Sequence, residues 1–589
     1  MTVSRRNFIE ASIGALLTAP FARAGATCRR RPYVQNIRRT RATVRWTTYE
    51  EGQASVAVRA GGAERIVPAK SVYFPADDTG LHFSYYRHEA VITELAPGAD
   101  YSYVVRLDGD DVVPDTGLGF RTTGVTPFTF LAVGDTGTGS AEQRRLAQLM
   151  EAEGPGLLVH TGDLVYPTGQ LELYERLYFD FYHATMSRVP FFPCPGNHDY
   201  YETLARPYVS IHDLPVEDVP ASDHGRYYSF DWGDLHFISL DSNESLVQAA
   251  SGRGQMLRWL ERDLAATKKF WRVAYFHHPP FAFGPNIRDR EAVLARSHVV
   301  PILERYGVPL VFNGHEHSYQ RTREINGVVY VTTGGGGAGL YRVDPSDLLA
   351  AGKSAHHYMR GEVNGRRLAL RAIGLDGQEF DHVVLNPPPV LSRQGVLNAA
   401  SFTTEIGSGA IVSVFGWQMG VETLDNGGRP LDKTSGVRVL LGDQELPLLM
   451  VSPTQVNAVL PGNITGRATL QVITPGGSAS SDLEILPVAP ALFPAVTDRR
   501  DSLVTPDSPC APGSEVSLFS TGLAGFGGSV RALVSTEAVA ARLSSTFASG
   551  LQRITLELPS SLESGTHLVS VEAEGVRSNA VPVAIRAFS

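Results

Sequence analysis

The chain has few cysteines, no excess of positive charge and no long uninterrupted apolar segment. Its 589 residues include only three cysteines, Cys28, Cys194 and Cys510, which lie far apart in the sequence. So sparse and odd a set excludes a disulfide framework and the spacing of a zinc finger. The net charge of −9 argues against nucleic acid as a structural partner, because such binding needs a basic face. Beyond the N-terminus, no stretch is apolar and long enough to predict a transmembrane segment.

The first 24 residues have the features of an export signal. The stretch SRRNFI at residues 4–9 resembles a twin-arginine signal, and ARA at 22–24 has the small-residue pattern of a cleavage site. We therefore predict a signal peptide over 1–24 and export to the periplasm or the extracellular space by the twin-arginine route. The alternative is a cytosolic amphipathic start with a chance arginine pair.

The length predicts several domains, and the composition changes along the chain. Residues 25–124 are predicted to be all-β, because RATVRWTTY, ASVAVRA and ADYSYVVRLDG alternate apolar and polar residues. The segment ELAPGADYSYVVR resembles a fibronectin type III module. In residues 125–386 short apolar strands alternate with helical patterns, which predicts an α/β domain with buried strands.

The C-terminal third is again predicted to be all-β. It follows the proline linker LNPPPVLS (385–392), and GAIVSVFGWQM from Gly409 is repeated as GSEVSLFSTGL from Gly513. A second proline-rich break, LPVAPALFP (486–494), lies between the copies. We predict two immunoglobulin-like domains, 387–487 and 488–589, that tether the protein to a cell surface, bind a polymer or pack on the α/β domain. The fold class is therefore multidomain, α/β plus all-β.

Metal-binding side chains follow five predicted strands of the α/β domain, at the end where functional residues gather in such sheets. They are Asp135 after FTFLAV, Asp163 and Tyr166 after GLLVHT, Asn197 and His198 after VPFFPCP, His277 and His278 after WRVAYF, and His315 and His317 after VPLVFN. Carboxylate, amide, phenol and imidazole groups suit borderline to hard metals. There are enough of them to hold two ions with one shared carboxylate.

The set GDTG, GDLVY, GNHD, FHHP and GHEHSY resembles the metallophosphoesterase superfamily and, within it, the purple acid phosphatases. Many metallophosphoesterases have a histidine two residues after the first aspartate. Here that position is Gly137, and the second motif supplies Tyr166, as in purple acid phosphatases. The resemblance covers about 30–386, and it implies an α/β/β/α sandwich preceded by a fibronectin III-like domain.

The resemblance also implies a ligand set. Asp135, Tyr166 and His317 would hold the first metal, Asp163 would bridge, and Asn197, His277 and His315 would complete the second. A phenolate ligand favours Fe(III) at the first site, and the second would take a divalent ion, Fe, Zn or Mn. The ligands do not choose among these three.

The implied reaction is hydrolysis of small phosphomonoesters by a metal-bound hydroxide. His198 is the candidate catalytic residue, orienting the phosphate or protonating the leaving group, and His198 and His278 are the candidate substrate contacts. The loop PFAFGPNIRDRE lacks the histidines of plant-type members, and Asn286, Arg288 or Arg290 could replace them. Two alternatives stay open: a phosphodiesterase or nucleotidase on the same site, and a cell-surface binding protein whose catalytic domain is relict.

Three other features are expected to carry no chemistry. The run GGGGAG (334–339) lacks the GK[ST] of a phosphate-binding loop and is predicted to be a tight turn near the site. His356 and His357 are predicted to lie on the surface, past the catalytic strands. Cys194 is predicted to have a packing role.

Overall fold

The computed structural model describes residues 26–114, 117–124, 127–201, 203–524, 526–545 and 550–587. It divides into two compact units, one reaching Thr123 and including Leu171–Phe191, the other containing Gly124–Gln170 and Phe192–Ser589. The predicted signal peptide, 1–24, lies outside the described residues. Within the described ranges no helix is long and apolar enough to cross a membrane.

The first unit contains two antiparallel sheets. Its strands, in spatial order, are Cys28–Gln35, Ala42–Thr48, Tyr85–Ile92 and Lys70–Phe74 in one sheet, and Ala63–Pro68, Ala54–Ala60, Asp100–Leu107 and Asp110–Asp111 in the other, with Gly119–Arg121 also paired to Asp100–Leu107. A short helix covers Ala76–Thr79. The three segments predicted from alternation are all strands, because their inward side chains bury an apolar face.

A helical segment from the middle of the chain packs in this first unit. It consists of Leu171–Leu173, a π-helix over Tyr174–Phe179, and Asp180–Met186. The buried guanidinium of Arg30 donates to Glu175 at 3.0 Å, and the Tyr33 and Phe179 rings lie 5.0 Å apart. A buried arginine needs such a partner, so Glu175 fixes the segment beside the N-terminal sheet.

Two mixed sheets form the α/β part of the second unit. The six-stranded sheet runs Phe191–Pro193, Leu157–His160, Phe128–Val133, His357–Asn364, Arg367–Gly374 and Glu379–Leu385. The seven-stranded sheet runs Tyr228–Trp232, Leu235–Ser239, Trp271–Tyr275, Leu310–Asn313, Val329–Thr333, Tyr319–Thr322 and Leu349–Lys353.

The two sheets pack face to face through aromatic side chains. The Phe130 ring lies 5.3 Å from Phe237 and 6.1 Å from Phe312, both on the opposing sheet. Each of these buried rings stabilises the fold by roughly 1.5–3 kcal/mol, because it is removed from water. Helices lie outside this pair of sheets. The helices are Ala141–Glu153, Asn197–Tyr200, Arg206–Ile211, Glu244–Ala250, Met256–Ala266, Arg290–Leu294 and Val300–Arg305, with 3₁₀ turns Thr203–Ala205 and Ala221–Asp223 and a π-helix Ala295–Val299.

Parallel register brings the strand ends to one edge. Val133 pairs with His160 in the first sheet, and Tyr275 pairs with Phe312 in the second. The loops beyond them are joined by backbone hydrogen bonds, Asp135 N to the Gly162 carbonyl and Gly314 N to the His277 carbonyl, both 3.0 Å. The polar residues that follow these strands therefore lie together.

The C-terminal third forms three further sheets around two large apolar cores, with a smaller apolar cluster at Ile411, Leu449 and Val459. The first pair of sheets contains Val390–Asn398, Ile411–Trp417, Gln455–Val459, Leu448–Val451 and Leu424–Asp425, and then Ile406–Gly407, Gly477–Leu486, Gly466–Thr474, Arg438–Leu441 and Gln444–Glu445. The last sheet contains Ala491–Asp498, Glu515–Thr521, Gln552–Glu557, Glu537–Ser545, Val530–Val534, Gly565–Ala573 and Val576–Arg577, with Val581–Ile585 paired to Gly565–Ala573.

The sequence repeat coincides with a structural repeat. Ile411–Trp417 and Glu515–Thr521 each lie between a preceding strand with an irregular register and a later antiparallel partner. The same three-strand arrangement is thus built twice, once around each apolar core.

The first C-terminal sheet pair packs on the α/β part, and the tripeptide Trp417-Gln418-Met419 supplies contacts there. Gln418 is fully buried and donates to the Gly307 carbonyl at 2.8 Å. Arg366 donates to the Met419 carbonyl at 2.5 Å, and the Arg272 guanidinium lies 5.7 Å from the Trp417 ring. Within the second unit, the first C-terminal sheet pair therefore packs on the α/β part, which is one of the roles predicted for it.

The prediction for His357 was wrong. His357 opens the strand His357–Asn364, which pairs with Phe128–Val133 near the centre of the six-stranded sheet, and its side chain is fully buried. Burial lowers the pKa of His357 to about 4. The sequence pattern missed it because this antiparallel strand enters the sheet late in the chain.

Candidate metal centre

Three residues at the shared edge have a left-handed backbone that non-glycine residues seldom adopt. The φ angles are 58° at Asp135, 53° at Asp163 and 68° at His315. Such conformations cost of order 1–3 kcal/mol each and cluster at functional sites. Each of the three follows a buried strand and a glycine, so the sharp turn aims its side chain across the edge of the sheets.

One group of donor atoms forms around Tyr166. Its hydroxyl lies 3.2 Å from Asp135 Oδ1 and 3.2 Å from His317 Nε2. His317 Nε2 and Asp135 Oδ1 are themselves 3.4 Å apart. A carboxylate oxygen, a phenol oxygen and an imidazole nitrogen therefore converge on one point.

A second group of donor atoms forms around His277. Its Nε2 lies 2.9 Å from Asn197 Oδ1 and 3.2 Å from His315 Nδ1. The same nitrogen is 3.5 Å from Asp163 Oδ2. This group offers two imidazoles, an amide oxygen and a carboxylate, which is a ligand set for a borderline divalent ion.

Asp163 lies between the two groups. Ligand atoms of Asp135, Asp163 and His277 all lie within 4.8 Å of one another, so one carboxylate can reach both positions. Asp135 and Asp163 are at most 1% exposed, and within the part of the chain that the structure describes neither pairs with a lysine or an arginine. Two buried carboxylates without a fixed cation fit bound metal ions, because a buried anion needs a compensating charge.

Hydrogen bonds orient the three histidines of the groups. His277 Nδ1 lies 2.8 Å from the Thr161 carbonyl, His317 Nδ1 lies 2.8 Å from the Gly339 carbonyl, and His315 Nε2 lies 2.8 Å from Asp289 Oδ2. Each of these nitrogens faces a hydrogen-bond acceptor, an arrangement that favours the tautomer in which the opposite nitrogen is available as a metal ligand.

The amide of Asn197 is oriented in the same way. Its Nδ2 donates to the Tyr201 hydroxyl at 2.8 Å, which turns Oδ1 toward His277. Oxygen is the end of an amide that can bind a metal, so Tyr201 holds this side chain in its ligand orientation.

The protonation equilibria at the centre respond to the two carboxylates. Burial opposes a charged His277, but Asp163 and Asp135 outweigh it and raise the pKa of His277 to about 9. Burial also raises the pKa of Tyr166 well above its ordinary value, and Asp135 and Asp163 raise it further. Both shifts thus include the negative charge of the same two carboxylates, which a bound metal ion would compensate.

Close backbone contact explains the glycine that replaces a histidine in the first motif. A Cβ at Gly137 would lie 2.0 Å from the Leu164 carbonyl oxygen and 2.4 Å from Val165 Cα. No side chain fits there, so a D-x-H motif is sterically excluded in this chain. Tyr166, which follows Val165, supplies the donor instead.

The two predicted substrate contacts have different neighbours at the centre: His198 packs on Tyr166, and His278 packs on His277 and His315. His198 Nδ1 is held 2.7 Å from the Pro167 carbonyl, and its Nε2 lies 3.9 Å from Asp163 Oδ2. His278 is buried, with Nδ1 held 2.9 Å from Ser242 Oγ and its ring 4.5 Å from that of His315. In both residues the hydrogen bond engages Nδ1, and Nε2 is the nitrogen that a substrate could contact.

Four acidic residues that hold the centre were missed from the sequence. Asp199 accepts from Gly196 N at 2.8 Å and from Leu164 N at 3.3 Å, and Asp289 orients His315. Asp241 accepts from the Tyr200 hydroxyl and from Ser245 Oγ, both at 2.5 Å. Glu316 accepts from Asn286 N at 2.7 Å. Asp199, Asp241 and Glu316 had a signal, since each follows a strand, in the loops GNHD, LDS and GHEHSY, whereas Asp289 had none.

The remaining sequence features lie close to the centre. The glycine run reaches Asp135, because Ala338 N donates to its carbonyl at 3.1 Å, and a Cβ at Gly334 would lie 2.8 Å from Asp135 Oδ2. Cys194 is fully buried, and its amide donates to the His160 carbonyl at 2.9 Å. Asn286 donates to the His315 carbonyl at 3.2 Å, while Arg288 and Arg290 are exposed.

The calcineurin-like phosphoesterase family matches residues 128–319. Purple acid phosphatase 23 of Arabidopsis thaliana is 28% identical over 336 residues, which are 49% of this chain and 70% of that protein. Purple acid phosphatase 15 of the same plant is 30% identical over 165 residues, 26% of this chain and 30% of that protein. Acid phosphatase type 7 of Mus musculus is 27% identical over 316 residues, 47% of this chain and 67% of that protein. The α/β part of this chain therefore contains a calcineurin-like metallophosphoesterase domain, and purple acid phosphatases are its homologues.

Proposed function

We propose that this protein is an exported, binuclear metal-dependent acid phosphatase that hydrolyses small phosphomonoesters. The observation that carries the proposal is the pair of donor groups that share Asp163 at one sheet edge. Asp135, Tyr166 and His317 would hold one ion, and Asn197, His277 and His315 the other. Two bound metal ions would neutralise phosphate charge and activate water as a nucleophile.

The side chain of His198 is placed to handle a proton. Its Nδ1 is engaged by the Pro167 carbonyl, so Nε2 faces the centre, and about a quarter of the side chain, 26%, is exposed. A phosphate ester bound beside Asp163 would meet this nitrogen, which can orient a phosphate oxygen or give a proton to the leaving alkoxide. His278 Nε2 is the second proposed phosphate contact, on the His315 side.

A monoester preference is the expected result of the test of function. The protein without residues 1–24 should hydrolyse p-nitrophenyl phosphate in preference to bis-p-nitrophenyl phosphate across pH 4–9, with its optimum on the acid side. A preference for the diester would keep the metal centre but assign a phosphodiesterase. Absence of turnover of either, with both metals bound, would favour a binding protein with a relict catalytic domain.

For the metals we propose Fe(III) beside Tyr166 and Fe, Zn or Mn beside His277. Tyr166→Phe should abolish visible charge-transfer colour and leave the fold intact, because the lost hydroxyl contacts side chains of the centre itself, those of Asp135, Asp163 and His317. Absorption spectra of the purified protein check the loss of colour, and circular dichroism checks that the fold is intact. Tyr201→Phe is the matched control, since that phenol contacts Asn197 and should keep the colour. Colour that survives Tyr166→Phe would contradict the Fe(III)–phenolate assignment.

The flanking segments support an exported, modular protein. The antiparallel sheets of the first unit are compatible with the fibronectin III-like assignment of 25–124, and the repeated three-strand arrangement with immunoglobulin-like domains at 387–487 and 488–589. The SRRNFI stretch motivates export by the twin-arginine route. Export by this route is supported if the mature protein is found outside the cytoplasm and is no longer found there when Arg5 and Arg6 are replaced by lysine. Export that persists in this variant would contradict it.

A further inference from the structure

Five rings form a continuous row across the candidate metal centre. The order is Tyr201, His198, Tyr166, His317, Tyr341, and successive ring centroids are 4.7, 4.4, 6.0 and 4.2 Å apart. The middle three belong to the proposed metal and phosphate machinery. The two terminal tyrosines do not hold a metal in that proposal, yet they extend the row on both sides.

Burial does not explain the position of Tyr201. The residue is 61% exposed, although its ring packs on His198. Its hydroxyl has a clear task in orienting Asn197, but that task needs only the oxygen atom. An aromatic face left in water beside a reactive imidazole is a surface on which another planar group can stack.

Tyr341 provides a similar face at the other end. Its ring lies nearly parallel to that of His317, at 14°, and its amide donates to the His317 carbonyl at 2.8 Å. The residue is partly exposed and is followed by the exposed Arg342. Backbone hydrogen bonding fixes the ring beside the centre, so a bound ester would meet a preformed wall.

Resting on the phosphatase function proposed above, we propose that Tyr201 and Tyr341 select phosphomonoesters whose leaving group carries a planar ring, a nucleobase or an aryl group. The phosphate would lie between the donor groups, and the ring of the leaving group would stack on a terminal tyrosine. No bond changes are added to the hydrolysis; the tyrosines contribute binding and orientation of the leaving group.

Matched substrate pairs test the proposal without interference from leaving-group reactivity. AMP and ribose 5-phosphate release the same kind of ribose hydroxyl and differ by the base. Benzyl phosphate and ethyl phosphate both release a primary alcohol and differ by the ring. Because stacking of a base on an aromatic residue is worth about 1–3 kcal/mol, we expect kcat/KM for the ring-bearing partner to be about fivefold higher or more in at least one pair.

Variants separate ring stacking from positioning. Tyr201→Leu and Tyr341→Leu remove a ring, whereas Tyr201→Phe and Tyr341→Phe keep the ring and remove the hydroxyl. The ratio of kcat/KM values within a pair should fall toward one in at least one leucine variant. The corresponding phenylalanine variant should keep the wild-type ratio, whatever happens to overall turnover. If Tyr201 only positioned Asn197, the leucine variant would lower kcat/KM equally for both substrates of a pair, and the ratio of the two values would not change.

The outcomes distinguish this proposal from the function on which it rests. Preference for AMP over ribose 5-phosphate identifies a nucleobase as the recognised group, and preference for benzyl over ethyl phosphate identifies an aryl group. Turnover without preference in either pair overturns ring recognition and leaves the phosphatase function standing. A preference that survives both leucine variants also overturns it. No turnover of any monoester by the metal-loaded wild type contradicts the phosphatase function itself.

Discussion

Asp163→Asn is expected to release both metal ions and to reduce turnover of p-nitrophenyl phosphate more than any other single substitution. Removal of a partner that merely orients a metal ligand lowers metal affinity or activity by about 10–100-fold. Removal of the shared ligand should therefore lower turnover by more than about 100-fold. The amide keeps the size of the carboxylate but removes the negative charge that both ions would share. Metal content by elemental analysis and kcat of the purified variant check the prediction.

The control for Asp163→Asn is the same change on a surface carboxylate. Asp100 is 73% exposed, and among the described residues its one ion pair is with Arg121, so Asp100→Asn should keep both metals and full turnover. Asp163 also accepts from His198 N at 2.9 Å, and an asparagine oxygen can retain that bond. Full metal occupancy in Asp163→Asn would therefore contradict the bridging role rather than report a misfolded loop.

Gly196→Ala is expected to be the most damaging change that alters no ligand. A Cβ at this position would lie 2.1 Å from Asp163 Oδ1 and 2.3 Å from Asp163 N. The backbone cannot move away without shifting Asn197 and His198, the next two residues. Overpacking of this kind destabilises proteins by about 1–3 kcal/mol, and here it should also lower occupancy of the site beside His277.

A glycine with free space around it serves as the control. Nothing lies within 4 Å of a Cβ built at Gly527, so Gly527→Ala should leave the urea midpoint and metal content at wild-type values. A Gly196→Ala protein with the wild-type midpoint and both metals would show that the loop can yield, and the close-contact argument would be wrong.

The strand ends were predictable because their signal is local. An apolar run followed by Gly-Asp, Gly-Asn-His or Gly-His places a polar side chain just beyond a buried strand, and parallel strands share one edge. Asp135, Asp163 and His315 were thus brought into one region by residue pattern alone. Their grouping into two donor sets came from a resemblance, not from the pattern.

The supporting contacts were not predictable because they join distant parts of the chain. Asp289 orients His315 from a loop whose sequence looks like any polar connection, and nothing near Glu175 indicates that it pairs with Arg30. His357 lies in an antiparallel strand that returns to the sheet long after the other strands are complete. Such contacts depend on topology, and periodicity in a single segment does not encode them.

The docking of Trp417-Gln418-Met419 sets where this protein can be shortened. The proline linker near residue 386 is the obvious place to end a recombinant catalytic fragment, yet a chain ended there would leave the Gly307 and Phe270 carbonyls without the Gln418 amide that donates to them. Arg272 lies on the strand Trp271–Tyr275, which leads directly to His277. A fragment that ends after residue 487 keeps this contact, but it loses the Thr521 hydroxyl that accepts from the Ile411 amide at 2.8 Å. Both C-terminal segments should therefore be kept with the α/β part.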